Sequence, residues 1–264
     1  MQAFSLPKLW LAVLLGGLIG LLGGAEFRLP VLVAVFHLPT LEAIIINKAM
    51  SLVVVVVSIF SRGLSVPYEQ LLPYWSVVVN LLMGSLIGAW FAAGHAIKLA
   101  PHKLNQFVFV LLVALAFVMF WEFTAGLQVE AEGPMFSSVW LQGFAGVLAG
   151  FLVGVVAALL GVAGGELLIP IIVILWGVDV KIAGSLSLMV SLPTMIVGFF
   201  RYRQAQAFGV LSRERDLFVW MSVGSVVGAL VGGLVLGLVA AHWLGLFLAL
   251  LLFISAWKVF KHSH

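Results

Sequence analysis

The chain has 264 residues, 64% of them hydrophobic and 9% charged, with a mean hydropathy of +1.25 and a formal net charge of +3. A soluble domain carries about 25% charged residues, so this chain has too few to coat a water-facing surface, and the bilayer is its solvent. The sparse charges cluster mostly in loops, which argues against nucleic-acid binding, and the lack of cysteine excludes disulfides, thiolate metal sites and a cysteine nucleophile.

In chain order, the apolar runs cover roughly 9–36, 40–61, 72–97, 102–125, 139–176, 178–200, 217–240 and 242–260. A helix needs about 20 apolar residues to cross the hydrocarbon. The expected fold is therefore an all-α integral membrane protein of about eight transmembrane helices. The chain also repeats itself. Residues 17–120 match 157–260 without a gap, 140 positions later: Gly24, Glu26 and Pro30 recur as Gly164, Glu166 and Pro170, and Gly84 and Gly88 as Gly224 and Gly228. This predicts two four-helix repeats, residues 1–127 and 139–264, joined by a connecting loop at 128–138. The first and fifth runs are longer than one crossing and contain Gly and Pro, so the first helix of each repeat is expected to be broken.

The broken segments carry the chemistry. One runs through Gly23, Gly24, Glu26, Arg28 and Pro30, the other through Gly161, Gly164, Gly165, Glu166 and Pro170. Glycine lets the backbone leave the helix, and proline removes a donor. Backbone groups freed at membrane depth must be buried in protein or line a wet cavity. Half-helix N-termini suit an anion, and paired breaks in two repeats point to a substrate site between them. Glu26, Arg28, Lys48 and Glu166 lie deep in apolar sequence, where a charge costs at least about 2.5–3.5 kcal/mol, so each should face protein or water. Glu26 and Glu166 are repeat partners expected to meet and to carry a coupling proton. Arg28 and Lys48 face Leu168 and Leu188 across the repeat and are expected to bind the anion, with internal salt bridges to Glu26 as the structural alternative. Asn47 and Ser51 match Ser187 and Ser191 on the second helix of each repeat, and Ser58 and Ser61 continue that face. All four matched residues are candidate ligands. No metal site, catalytic group or cofactor is expected; there is no HExxH, Walker A or GxGxxG sequence.

In an eight-span arrangement, Lys and Arg divide eight against three. Lys8, Arg62, Arg201, Arg203, Arg213, Arg215, Lys258 and Lys261 share one side, and Lys98, Lys103 and Lys181 the other, which places both termini in the cytoplasm. An even span count makes the repeats parallel. If the broken segments do not cross, the count per repeat is odd and the repeats are inverted.

On these motifs the chain resembles the TauE/SafE family of sulfite and organosulfonate exporters, small bacterial inner-membrane permeases. The matching pieces are Gly23-Gly24…Pro30 with Arg62-Gly63, and Gly161…Gly164-Gly165…Pro170 with Ala183-Gly184-Ser185 and Arg201-Tyr202. Ala25 stands for the third glycine of the pattern, and Glu26, Arg28 and Glu166 for apolar residues. The resemblance implies a multi-pass secondary transporter of a small, sulfur-containing anion in the inner membrane. Its partners would be that anion and membrane lipid, with no nucleic acid and a homodimer left open. The alternatives are a cation or metal permease that uses the paired carboxylates, and a membrane scaffold or intramembrane enzyme.

Overall fold

The computed structural model describes residues 6–22, 25–63, 66–124, 133–204 and 209–235, together with Leu250 and Phe253. Among them every regular element is helical. The order is α1 (Leu6–Leu22), a 3₁₀ turn at Ala25–Phe27, α2 (Arg28–Ala34), α3 (Thr40–Gly63), α4 (Trp75–Ala96) and α5 (Pro101–Thr124), then α6 (Val139–Leu160), α7 (Gly165–Trp176), α8 (Val180–Gln204), α9 (Gly209–Arg213) and α10 (Arg215–Val235). Helix is the element that satisfies its own backbone in hydrocarbon. Among the described residues five helices are long and apolar enough to cross a membrane: α3, α4 with the turns before it, α5, α6 and α8. The expected run at 242–260 lies outside the described residues apart from Leu250 and Phe253.

Contacts give the helix directions. α3 and α8 are antiparallel: Arg62, near the end of α3, donates to the Lys181 carbonyl at 3.1 Å, near the start of α8, while Lys48 lies against Gly198 near the end of α8. α8 runs parallel to α4, with Ser85 Oγ 2.7 Å from Thr194 Oγ1 and Gly94 against Arg201. α4 runs parallel to α6, since Gly150 and Gly154 lie on the backbone of Leu81 and Ser85. α1 runs parallel to α10, since Gly16 and Gly20 lie on Met221 and Ser225. Arg213, at the end of α9, pairs with Glu42 and so brings the start of α10 to the start of α3. Ala229 and Leu230 then sit beside Ser58 and Arg62, so α10 and α3 are parallel.

The broken segments are hairpins. Gln142 Nε2 donates to the Leu175 carbonyl at 2.6 Å where α6 begins and α7 ends, and Gly164 lies on Val153 at the other end. In the first half α2 runs back along α3: Asn47 Nδ2 reaches the Ala25 carbonyl at 3.2 Å and the Leu38 N–H donates to the Leu32 carbonyl. As α1 runs with α10 and α3, α1 and α2 point in opposite directions. Each broken segment therefore returns to the face it entered. This replaces the parallel arrangement expected from eight crossings by an inverted one, in which α3 and its equivalent α8 cross head to tail. Taking the end where α3 begins as the lower face, Lys8, Lys98, Lys103, Arg201, Arg203, Arg213 and Arg215 lie toward it. Arg62 and Lys181 lie toward the upper face.

Glycines hold the two halves together. A Cβ on Gly84, Gly88, Gly224 or Gly228 would collide with the carbonyl of Val147, Phe151, Val13 or Gly17, respectively. Small residues four apart let helix backbones touch, which in lipid replaces the hydrophobic drive for association. These contacts also correct the ungapped register before the break. Leu81 and Ser85 are 140 positions from Met221 and Ser225, but the glycines that face them, Gly16/Gly150 and Gly20/Gly154, are 134 apart. The second hairpin is longer by the difference. Past the break the register of 140 persists in the core: Leu32, Val33, Ala43, Ile46 and Met50 are buried around α2, and Ile172, Val173, Ala183, Leu186 and Val190 around α7.

Candidate functional site

The two hairpin tips meet at a cavity of about 330 Å³ between α3, α8 and α10. Its floor is Ala25, Glu26 and Arg28 from the first break and Ala163, Gly164, Gly165 and Glu166 from the second; Ser51, Ser58, Arg62 and Ser187 line its walls. The local reason for the tips is legible in the chain. Gly161 and Gly164 sit in left-handed backbone (φ 69° and 74°), where a side chain is strained. Pro30 and Pro170 cannot donate to the carbonyls of Glu26 and Glu166, four residues earlier, so both acidic residues sit where the helical ladder is open.

Glu26 and Glu166 meet as the repeat predicts. Their side chains hydrogen-bond to each other. An ionised carboxylate only accepts, so a hydrogen bond between two carboxyl groups requires a proton on one of them. The environments differ: Glu26 is 3% exposed and its Oε1 has no partner, whereas Glu166 is open to the cavity.

Arg28 is 2% exposed and occupies the position that apolar Leu168 holds in the second half. Its Nη2 donates to Ser51 Oγ at 3.0 Å, while Nε and Nη1 have no hydrogen-bond partner. A buried donor left unsatisfied costs about 1–3 kcal/mol, more when charged. The guanidinium is thus a cation with spare donors at the wall of a cavity.

The remaining candidates separate into two sets. Gly164, Gly165, Ser187, Ser51 and the three charged residues share the cavity. Ser187 Oγ donates to the Gly184 carbonyl at 2.9 Å. Asn47 Nδ2 bridges the Ala25 and Leu160 carbonyls, at 3.2 and 2.9 Å, and so fastens both breaks to α3. Lys48 Nζ donates to the Ala157 carbonyl at 3.0 Å, and Ser191 is buried with no partner for its hydroxyl. Asn47, Lys48 and Ser191 do not line the cavity. Gly23 and Gly24 lie outside the described residues. Sequence reasoning reads Arg62 as a topological charge and as part of the family motif, not as a site residue, and passes over Ser225 as a site residue. The signal for Arg62 was the stripe Ser51, Val55, Ser58, Arg62, which recurs at helical spacing down one face of α3.

A second cavity of about 670 Å³ continues from the first past Val54, Ser58 and Arg62 to Val66 and Lys181 on the upper face. Among the described residues no three His, Cys, Asp or Glu side chains group to hold a metal. No curated protein and no solved structure matches the chain. A membrane-embedded cavity at paired Gly/Pro breaks is the geometry of a transporter, and the sequence model of the sulfite exporter TauE/SafE family matches residues 9–259, so the chain belongs to that family of multi-pass membrane transporters.

Proposed function

We propose that this protein is a proton-coupled secondary transporter of a small sulfur-containing anion, sulfite or an organosulfonate, in the bacterial inner membrane. The observation that carries this reading is Arg28, a buried guanidinium with two unpartnered nitrogens beside an open cavity at the paired breaks. An oxyanion completes those donors, and guanidinium geometry matches two oxygens at once. The N–H groups of Gly165 and Glu166 open the first turn of α7 and add a positive helix end on the facing wall. Ser51 holds the guanidinium in place, and Ser187 lines the far side.

The carboxyl pair supplies the coupling. Arrival of an anion beside Arg28 favours retention of the shared proton, and a proton lost from Glu166 to the cavity weakens anion binding. Proton and anion therefore move together. The two halves, 1–127 and 139–264, act as opposed arms around this site. The split of seven cations to two supports a cytoplasmic lower face, with both termini inside.

Proteoliposome flux tests the reading. Sulfite should be carried, organosulfonates and thiosulfate should compete, and divalent cations should not. Carriage of a metal cation with no anion flux would overturn it in favour of a cation permease.

A further inference from the structure

The two ends of the path are built from equivalent residues: Ser58, Arg62 and Ala229 are accessible where Gly198, Tyr202 and Ala89 are buried, while Val55 and Ser225 are buried like their counterparts Met195 and Ser85. Five residues of the open path have partners 140 positions away: Val55, Ser58, Arg62, Ser225 and Ala229 line the cavities. Their counterparts are Met195, Gly198, Tyr202, Ser85 and Ala89. Met195, Tyr202, Ser85 and Ala89 are fully buried, and Gly198 is covered by the Lys48 side chain, whose Nζ would stand 3.0 Å from a Cβ there. The inverted arrangement puts these counterparts on the lower side of the Glu26–Glu166 pair.

Two polar side chains seal that side. Tyr202 Oη donates to the Ala158 carbonyl at 3.1 Å and Lys48 Nζ to the Ala157 carbonyl at 3.0 Å. Both side chains are inaccessible to solvent. They come from α8 and α3 and grip consecutive carbonyls in the last turn of α6, where the helix leaves its carbonyls without internal donors. Neither residue has this role in the other half: the equivalents are Arg62, which stands in the open mouth, and Leu188, which lines the cavity.

We propose that Lys48 and Tyr202 are the lower gate of the transporter, closed in this structure, and that opening it requires release of the Ala157 and Ala158 carbonyls. The inference rests on the transport reading for its purpose, but its geometry is tested without transport. Inverted halves that exchange conformation would then bring Arg62 into the closed position as Tyr202 leaves it.

The cysteine-free chain allows a direct test by thiol accessibility in right-side-out and inverted vesicles. Val54→Cys lies on the open path, and Thr194→Cys occupies the matching place behind the gate. With a membrane-impermeant maleimide, Val54→Cys should label from the upper face and Thr194→Cys from neither. Adding Tyr202→Phe, which removes one buried hydrogen bond, should speed labelling of Thr194→Cys from the lower face about fivefold. Lys48→Met should do the same independently. The gate is refuted if Thr194→Cys in the otherwise unaltered protein labels from below as fast as Val54→Cys does from above, or if both gate variants leave its rate unchanged. An absence of sulfite flux would refute the transport reading and leave this labelling pattern intact.

Discussion

Arg28 and Ser51, 23 positions apart in sequence, are joined by a 3.0 Å hydrogen bond from Nη2 to Oγ inside the protein. That bond leaves Nε and Nη1 of the guanidinium buried without hydrogen-bond partners, in a residue that lines the cavity. It ties the first break to the middle of α3, so the cation at the site and the helix that lines the path are one mechanical unit.

The first prediction follows from those free donors. Arg28→Leu should lower sulfite flux by about 10–100-fold, the effect of losing a hydrogen bond to a charged group. The apolar side chain suits the site, since Leu168 is buried at the equivalent place. Thermal stability should therefore hold or rise. Flux is read in proteoliposomes and stability by the melting of detergent-solubilised protein. Normal flux in Arg28→Leu would place the anion elsewhere, and loss of folded protein would make Arg28 structural.

The carboxyl pair makes a second. In Glu166→Gln the amide donates permanently to Glu26, so the contact no longer needs a proton. Anion binding should survive while the pH dependence of flux disappears. Glu26→Gln replaces a buried carboxyl beside Glu166 and Arg28 by a neutral amide and should reduce the amount of folded protein. Flux measured from acid to neutral pH decides this: a profile in Glu166→Gln that follows the unaltered protein would remove Glu166 as the proton carrier.

Topology yields a third. Lys98 stands at the lower face and Lys181 at the upper, whereas eight straight crossings put both on one side. Lys98→Cys should label from the cytoplasm and Lys181→Cys from outside. Labelling of both from the same side would restore the parallel arrangement.

A fourth concerns assembly of the halves. Gly84→Val puts a branched side chain against the Val147 carbonyl, a contact between backbones that has no slack. Overpacking of this kind costs about 1–3 kcal/mol, enough to lower the melting temperature by several degrees. Gly209→Ala, where nothing lies within 4 Å, is the control and should stay near the parent value. Equal melting of the two variants would mean that α4 and α6 yield to each other.

The sequence by itself determined the solvent, the helical class, the duplication and the meeting of Glu26 with Glu166. Each of these is a statement about what a segment buries or repeats, and composition and register carry that directly. Only the tertiary structure decided direction. Hydropathy measures the transfer of a segment into lipid and is the same whether the chain runs on through a break or turns back at it. A pair such as Gly161 and Gly164 permits both courses. The choice is made by long-range contacts: Gln142 on Leu175, Asn47 on Ala25 and Leu160, and Gly16 on Met221. The same contacts explain why Lys48, a cation in apolar sequence like Arg28, is not at the cavity. Its Nζ donates to the Ala157 carbonyl in the last turn of α6, more than a hundred positions along the chain, and no local pattern announces where a helix will end in space.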